Sequence, residues 1–190
     1  MKKQFSSRRL IYRLADPAFC RMAAEFFQRN KEILKISEDR KPEEFYLPEF
    51  QKIWLEMQRE KAEEREWLSF YIFEKRKPGR IIGTVTVSNF RCAKTVSGTI
   101  GYRIDLEKQG QGYGTEAAYV GTRIGFDELG LRKMVADVMP NNRASLRVLE
   151  KCGYEREGYF RRNIKINGKW EDHIRMVIFR EDFQEVPEKM

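Results

Sequence analysis

Apolar residues recur along this chain in two periods, every second position in some stretches and every third or fourth in others. The switches between the two outline its elements. Arg8–Leu14 alternates and predicts a first strand. Asp16-Pro17 supplies an N-cap and a first helical position, and Phe19, Met22, Ala23, Phe26 and Phe27 follow at helical spacing. Beyond a polar loop at Ser37–Pro42, a second helix is expected from about Pro48 to Glu64, with Ile53, Trp54 and Met57 as its apolar residues. Trp67–Glu74 and Arg80–Phe90 read as strands joined through Lys77-Pro78-Gly79, and Val96–Asp105 as a further strand.

The texture then changes. Gln109-Gly110-Gln111-Gly112-Tyr113-Gly114 is rich in glycine, and from Thr115 a helix is expected with Ala117, Val120, Gly121 and Ile124 on one side. Lys133–Met139 predicts a short strand, Asn142–Lys151 a short helix, and Tyr154–Arg162 and Ile164–Arg180 the closing strands. Asn167-Gly168 is a strong hairpin signal because both residues tolerate positive φ. Neither an internal repeat nor a linker interrupts the pattern. The expectation is one α/β domain over 1–190, with its core at about 8–182.

Composition narrows the class. A chain of 190 residues buries about 70% of its unfolded surface, enough for a core without staples. The longest uncharged stretch is the ten residues Ile81–Phe90, half of a membrane span, and the basic start leads into no apolar signal region. No membrane association and a cytoplasmic location are expected. Cys20, Cys92 and Cys152 are odd in number and far apart, and no CxxC occurs, so neither a disulfide framework nor a zinc site is written here. The net charge of +8 is uneven: residues 38–66 carry −4, whereas 1–13, 75–114 and 132–175 carry +5, +6 and +5. A basic body suits an anionic ligand. Nucleic-acid binding is disfavoured because no RNP1, zinc-finger or basic-zipper pattern accompanies the charge.

The glycine segment lies between a strand and a helix, where backbone N–H groups and the helix N-terminus favour an anion such as a pyrophosphate. It is not a dinucleotide fingerprint, since Thr115 stands where G-x-G-x-x-G requires its third glycine, and no G-x-x-x-x-G-K-[ST] is present.

Gln109-x-x-Gly112-x-Gly114 after Tyr102-Arg103-Ile104-Asp105, then Asn142-Arg143-Ala144-Ser145 and Glu150-Lys151-Cys152-Gly153-Tyr154, resembles the signatures of the GCN5-related N-acetyltransferases (GNAT). Gly158-Tyr159-Phe160 and Asn167 to His173 resemble the branch containing the ribosomal-protein alanine N-acetyltransferases. The resemblance implies a mixed, mostly antiparallel twisted sheet flanked by helices, with the strands near 96–105 and 133–139 splayed to admit pantetheine. It implies acetyl-CoA as donor. The backbones of Ile104 and Leu106 would pair with pantetheine, and the amides of Gln109, Gly110, Gln111, Gly112, Tyr113, Gly114 and Thr115 would hold the pyrophosphate. Asn142 would contact the cofactor arm.

Many members of the family carry a tyrosine acid seven residues after the helix asparagine; here that position is Leu149. Ser145, one helical turn after Asn142, faces the same side. By resemblance to the ribosomal-protein branch it is a proton donor, and by position alone a helix-face hydroxyl. Asp137 is the candidate base, where some N-terminal acetyltransferases carry a glutamate, or else a surface strand residue. His173, Glu74 and Tyr102 are further candidates. The implied acceptor is a primary amine: the α-amine of a basic, ribosomal protein, or alternatively a polyamine, amino acid or antibiotic. Glu38, Asp39, Glu43 and Glu44 are expected to attract a cationic acceptor. The assembly is expected to be a monomer or homodimer.

Overall fold

A computed structural model describes residues 2–90 and 96–184; Cys92 and the tail from residue 185 lie outside them. Among the described residues, eight strands form one open sheet: β1 (Gln4–Ser6), β2 (Leu10–Leu14), β3 (Trp67–Glu74), β4 (Lys77–Ser88), β5 (Ser97–Ile104), β6 (Lys133–Val138), β7 (Glu155–Ile166) and β8 (Lys169–Phe179). Their spatial order is β1-β2-β3-β4-β5-β6-β8-β7. Every pairing is antiparallel except β5–β6. A parallel pair needs a crossover, and the helix α4 (Tyr113–Asp127) supplies it.

Both faces of the sheet are covered. On one, α4 and α5 (Arg143–Lys151) bury Ala117, Val120, Ile124, Leu146 and Leu149 against Leu10, Phe70, Val85, Ile100 and Met176. On the other, α1 (Cys20–Arg29), a 3₁₀ turn at Glu43–Tyr46 and α3 (Pro48–Glu63) pack Phe26, Phe45 and Leu55 on Tyr71, Phe73 and Ile81. A short α2 (Lys31–Leu34) follows α1. Burial on both faces explains why β3 reads as a continuous apolar run.

Several sequence expectations need correction. Lys77-Pro78-Gly79 opens β4, and the turn falls at Lys75-Arg76, with Glu74 opposite Lys77 in register. Pairing with β3 extends the strand through the proline. Strand β1 and helix α2 are too short to carry a periodic signal. Helix α4 starts at Tyr113 rather than Thr115, and Ile53 is 67% exposed on α3. Asn167 and Gly168, with φ of 50° and 84°, turn the β7–β8 hairpin as the dipeptide predicts.

Candidate functional site

The parallel β5–β6 pairing is short. Ser97–Thr99 pairs with Lys133–Val135, after which both strands continue unpaired with each other, β5 to Ile104 and β6 to Val138. The Asp105 N–H donates to the Ile82 carbonyl at 2.8 Å. By the alternation of an antiparallel ladder, Tyr102 and Ile104 therefore turn their backbone groups away from β4 and into this cleft. The Ile104 carbonyl takes only a 3.4 Å bond from the Gln109 side chain. An extended, amide-bearing chain can pair there as an added strand would. Leu106 differs from expectation: its N–H donates to Asn30 Oδ1 at 2.9 Å and its carbonyl accepts the Gln109 N–H at 3.3 Å. Those backbone groups are engaged within the protein.

Beyond β5 the chain makes a 3₁₀ turn at Leu106–Lys108 and enters the glycine loop. Gly110 and Gly112 have φ of 73° and 80°, which side-chain-bearing residues rarely adopt, and nothing lies within 4 Å of where a Cβ on Gly110 would stand. Among the described residues, the amides of Gly110 through Thr115 donate to no protein acceptor; the first loop-to-helix bond runs from the Glu116 N–H to the Gly112 carbonyl at 3.1 Å. This is an open cradle of N–H groups at the positive end of a 15-residue helix, suited to a pyrophosphate. The cleft and the cradle together fit acetyl-CoA. Val148 of α5 packs where Gly114 has no side chain, and the Cys152 thiol donates to the Thr115 carbonyl at 3.5 Å, which sets α5 beside the cradle. Burial pushes that thiol up to about 12, so it stays protonated.

Asn142 is the N-cap of α5, its Oδ1 accepting the Ser145 N–H at 3.1 Å. Ser145 Oγ and Tyr102 Oη are 2.9 Å apart, and Tyr102 Oη also donates to the Ser145 carbonyl at 3.2 Å. Tyr102 thus reaches from the edge of the cleft to α5, and burial holds its hydroxyl neutral. Leu149, where the family's tyrosine would stand, is fully buried in the core.

The other candidate side chains are more tightly committed. Asp137 lies on the opposite face of β6 from α5, bound by both nitrogens of one edge of Arg175 at 2.8 Å. Both carboxylate oxygens are thereby engaged within the sheet, on the side away from α5. Glu74 receives Tyr113 Oη at 2.8 Å and Lys108 Nζ at 2.9 Å, and the Lys108 ammonium chiefly holds its carboxyl below the ordinary range. His173 is buried, its Nδ1 3.1 Å from the Glu171 carbonyl.

On the α1–α3 face, beside β5, lies a cavity of about 160 Å³. Phe27, Phe45, Trp54, Trp67 and Tyr71 wall it, with Ser69, Thr84 and Thr86 on its sheet side. Its charged lining is Lys31, Lys35, Lys41 and Arg103 against Glu38 and Asp39. The expected acidic attractor is not assembled here. Glu38 binds the Arg103 guanidinium through both oxygens, Asp39 accepts the Asn167 N–H at 2.7 Å, and Glu43, itself outside the lining, pairs with Lys31 at 2.6 Å. Glu44 is exposed and also outside the lining. The Asn167 side chain bonds the Lys35 and Glu38 carbonyls and the Arg40 N–H, so the hairpin tip straps this wall. Sequence reading missed Asn167 and Asn30 in these roles, since their partners lie more than 70 residues away.

The profile of the acetyltransferase (GNAT) domain family matches residues 9–155. The probable N-acetyltransferase YjcK of Bacillus subtilis is 38% identical over 140 residues, 74% of this chain and 77% of that protein. The [ribosomal protein uS5]-alanine N-acetyltransferase of Escherichia coli is 26% identical over 182 residues, 96% of this chain and 93% of that one. A crystal structure of ribosomal-protein-S5-alanine acetyltransferase from Vibrio fischeri superposes with a TM-score of 0.88 at 30% identity, covering 96% of this chain and all of the other.

Proposed function

The chain belongs to the GNAT acetyltransferase family and is an N-acetyltransferase using acetyl-CoA, and from that premise we propose that its acceptor is the N-terminal α-amine of a protein, a ribosomal protein in particular. The observation that carries this reading is the lining of the 160 Å³ cavity. Cations outnumber acids there, and both acids already have partners within the protein. Three of those cations are paired in turn, Lys31 with Glu43, Lys35 with Glu32 and Arg103 with Glu38, so a polyamine finds no run of free carboxylates where it needs several. A neutral amine with a small apolar group meets aromatic walls and hydroxyls, in a space about the size that admits a benzene ring.

Proton chemistry points the same way. An α-amine has a pKa of about 7.7–8.0 against about 10.4 for lysine, a difference of roughly 3.4 kcal/mol in the cost of deprotonation. With Asp137 held by Arg175, no strong base is needed for an acceptor that is already partly neutral at pH 7, and water can carry its proton away. Acetyl-CoA would supply the activated acyl group there, with the thiolate of CoA as the leaving group. The backbone of Ile104 would pair with its pantetheine arm in place of the engaged Leu106. The amides of Gly110 through Thr115 would hold its pyrophosphate, with the Gln109 amide already committed to Leu106. Asn142 Nδ2 would face the arm while Oδ1 caps α5. Ser145 would hold, at Oγ, the proton that the departing sulfur takes up. The chain would act as a single cytoplasmic domain, its core within 8–182.

The test is release of CoA thiol with Ala- and Ser-initiated basic peptides, their N-blocked forms, spermidine and free amino acids, with mass spectrometry of the products. Turnover confined to the free-terminus peptides is expected. Turnover on spermidine or amino acids alone would overturn the acceptor assignment and leave the family unaffected.

A further inference from the structure

The glycine cradle is built from backbone, and backbone amides bind an anion well only if their peptide planes are held before it arrives. Three contacts hold this loop from behind. Glu74 takes Lys108 and Tyr113, as described above. The third comes from Arg9, just ahead of β2 and about 100 residues away in sequence. Its Nη1 donates to the Gln111 carbonyl at 2.8 Å, its guanidinium lies 4.2 Å from the centre of the Tyr113 ring, and a Cβ on Gly112 would stand 3.4 Å from Nη2. Arg9 is itself fixed by Glu116, a buried first-turn residue of α4: Nε donates to Oε2 at 2.8 Å and the Arg9 N–H to Oε1 at 2.9 Å. Ser7 Oγ donates to the same carboxylate at 2.6 Å.

The peptide between Gln111 and Gly112 is trans, so its carbonyl and its N–H point in opposite directions. By fastening the Gln111 carbonyl on the outer side, Arg9 aims the Gly112 N–H away from itself, into the cradle. The Arg9–Glu116 pair is neutral overall, so this effect is one of orientation and only secondarily of charge.

We propose that Arg9 is a positioning residue for the phosphate portion of the donor, setting the Gly112 amide through the Gln111 carbonyl. This rests on the reading that the loop amides hold the pyrophosphate. Arg9→Lys keeps the charge facing Glu116, but one ammonium cannot bond Glu116 and Gln111 together while lying flat on Tyr113.

Binding of CoA, 3′-dephospho-CoA and pantetheine is measured by calorimetry on wild type and Arg9→Lys, with thermal melts of both. The Kd for CoA and for 3′-dephospho-CoA should rise about tenfold, equal to about 1.4 kcal/mol, while that for pantetheine stays unchanged. If Arg9→Lys melts far below wild type, the comparison is made on Arg9→Met/Glu116→Gln, which removes both charges together. An equal loss for pantetheine, or an unchanged CoA affinity, would overturn the inference. Wild-type protein that binds CoA no more tightly than pantetheine would instead overturn the pyrophosphate reading on which it rests.

Discussion

Replacing Ser145 by alanine separates the two roles open to its hydroxyl. The stability cost follows from its contacts. Among the described residues Ser145 Oγ has one partner, Tyr102 Oη at 2.9 Å, and Tyr102 keeps its bond to the Ser145 carbonyl when the side chain is removed. The Asn142 cap also survives, because it uses the Ser145 backbone N–H. One neutral hydrogen bond is lost, worth about 0.5–1.5 kcal/mol, partly offset by alanine's better helix propensity. For a chain of this length the melting temperature should fall by no more than about 4 °C. If Oγ holds the proton taken up by the leaving sulfur, kcat should fall by about 10²–10⁴, or about 2.7–5.5 kcal/mol on the barrier. KM for both substrates should change little, since the loss is felt in the transition state. The assay is steady-state and single-turnover CoA release on the best acceptor, beside urea melts of the same preparations. A kcat within about threefold of wild type, in a protein that melts normally, would refute the donor role and leave Ser145 as a helix-face hydroxyl.

Asp105, 1% exposed, accepts Arg29 at 2.7 Å and Arg80 at 3.0 Å, and ties α1 to the start of the cradle. Asp105→Asn should cost about 1.5–3 kcal/mol in urea unfolding, most of it at Arg29, because Arg80 keeps Glu107. Burial, the largest influence, pushes the Asp105 carboxyl up, yet the two guanidiniums together hold it below the ordinary range. Its contribution is therefore complete above the unfolded value near 3.9 and is lost as pH falls through the lower folded value. The gap between wild type and Asp105→Asn should stay flat from pH 7 to about pH 4 and close only below it; closure by pH 6 would contradict the assignment. Asn142→Ala removes the cap of α5 and should cost about 1 kcal/mol, which Asn142→Asp should largely restore; equal urea midpoints for all three proteins would count against the cap.

Much of the site was legible in the sequence because its determinants are local. Gly110 and Gly112 must adopt positive φ, and the amides they expose need no partner from elsewhere in the chain. Asn142 caps a helix within three residues of itself, and Asn167-Gly168 turns its own hairpin. The apolar pattern marked β2, β3, β5 and β6 closely, while β7 was ended too early at Arg162, β8 was begun at Ile164 ahead of the turn, β4 was begun too late and β1 was missed. Tertiary structure alone decided what distant groups do to one another. Whether Asp137 is available depends on Arg175 across β8, and whether the acids of residues 38–44 form an attractor depends on Arg103, Asn167 and Lys31. Whether Leu106 can pair with a ligand depends on Asn30 at the end of α1. Hydrogen bonds and ion pairs of this kind act over about 3 Å in space but join residues tens of positions apart, so no period or motif records them. The chain's pattern determined which backbone groups stand open to the donor, and the packing of the sheet determined which side chains remain uncommitted beside them.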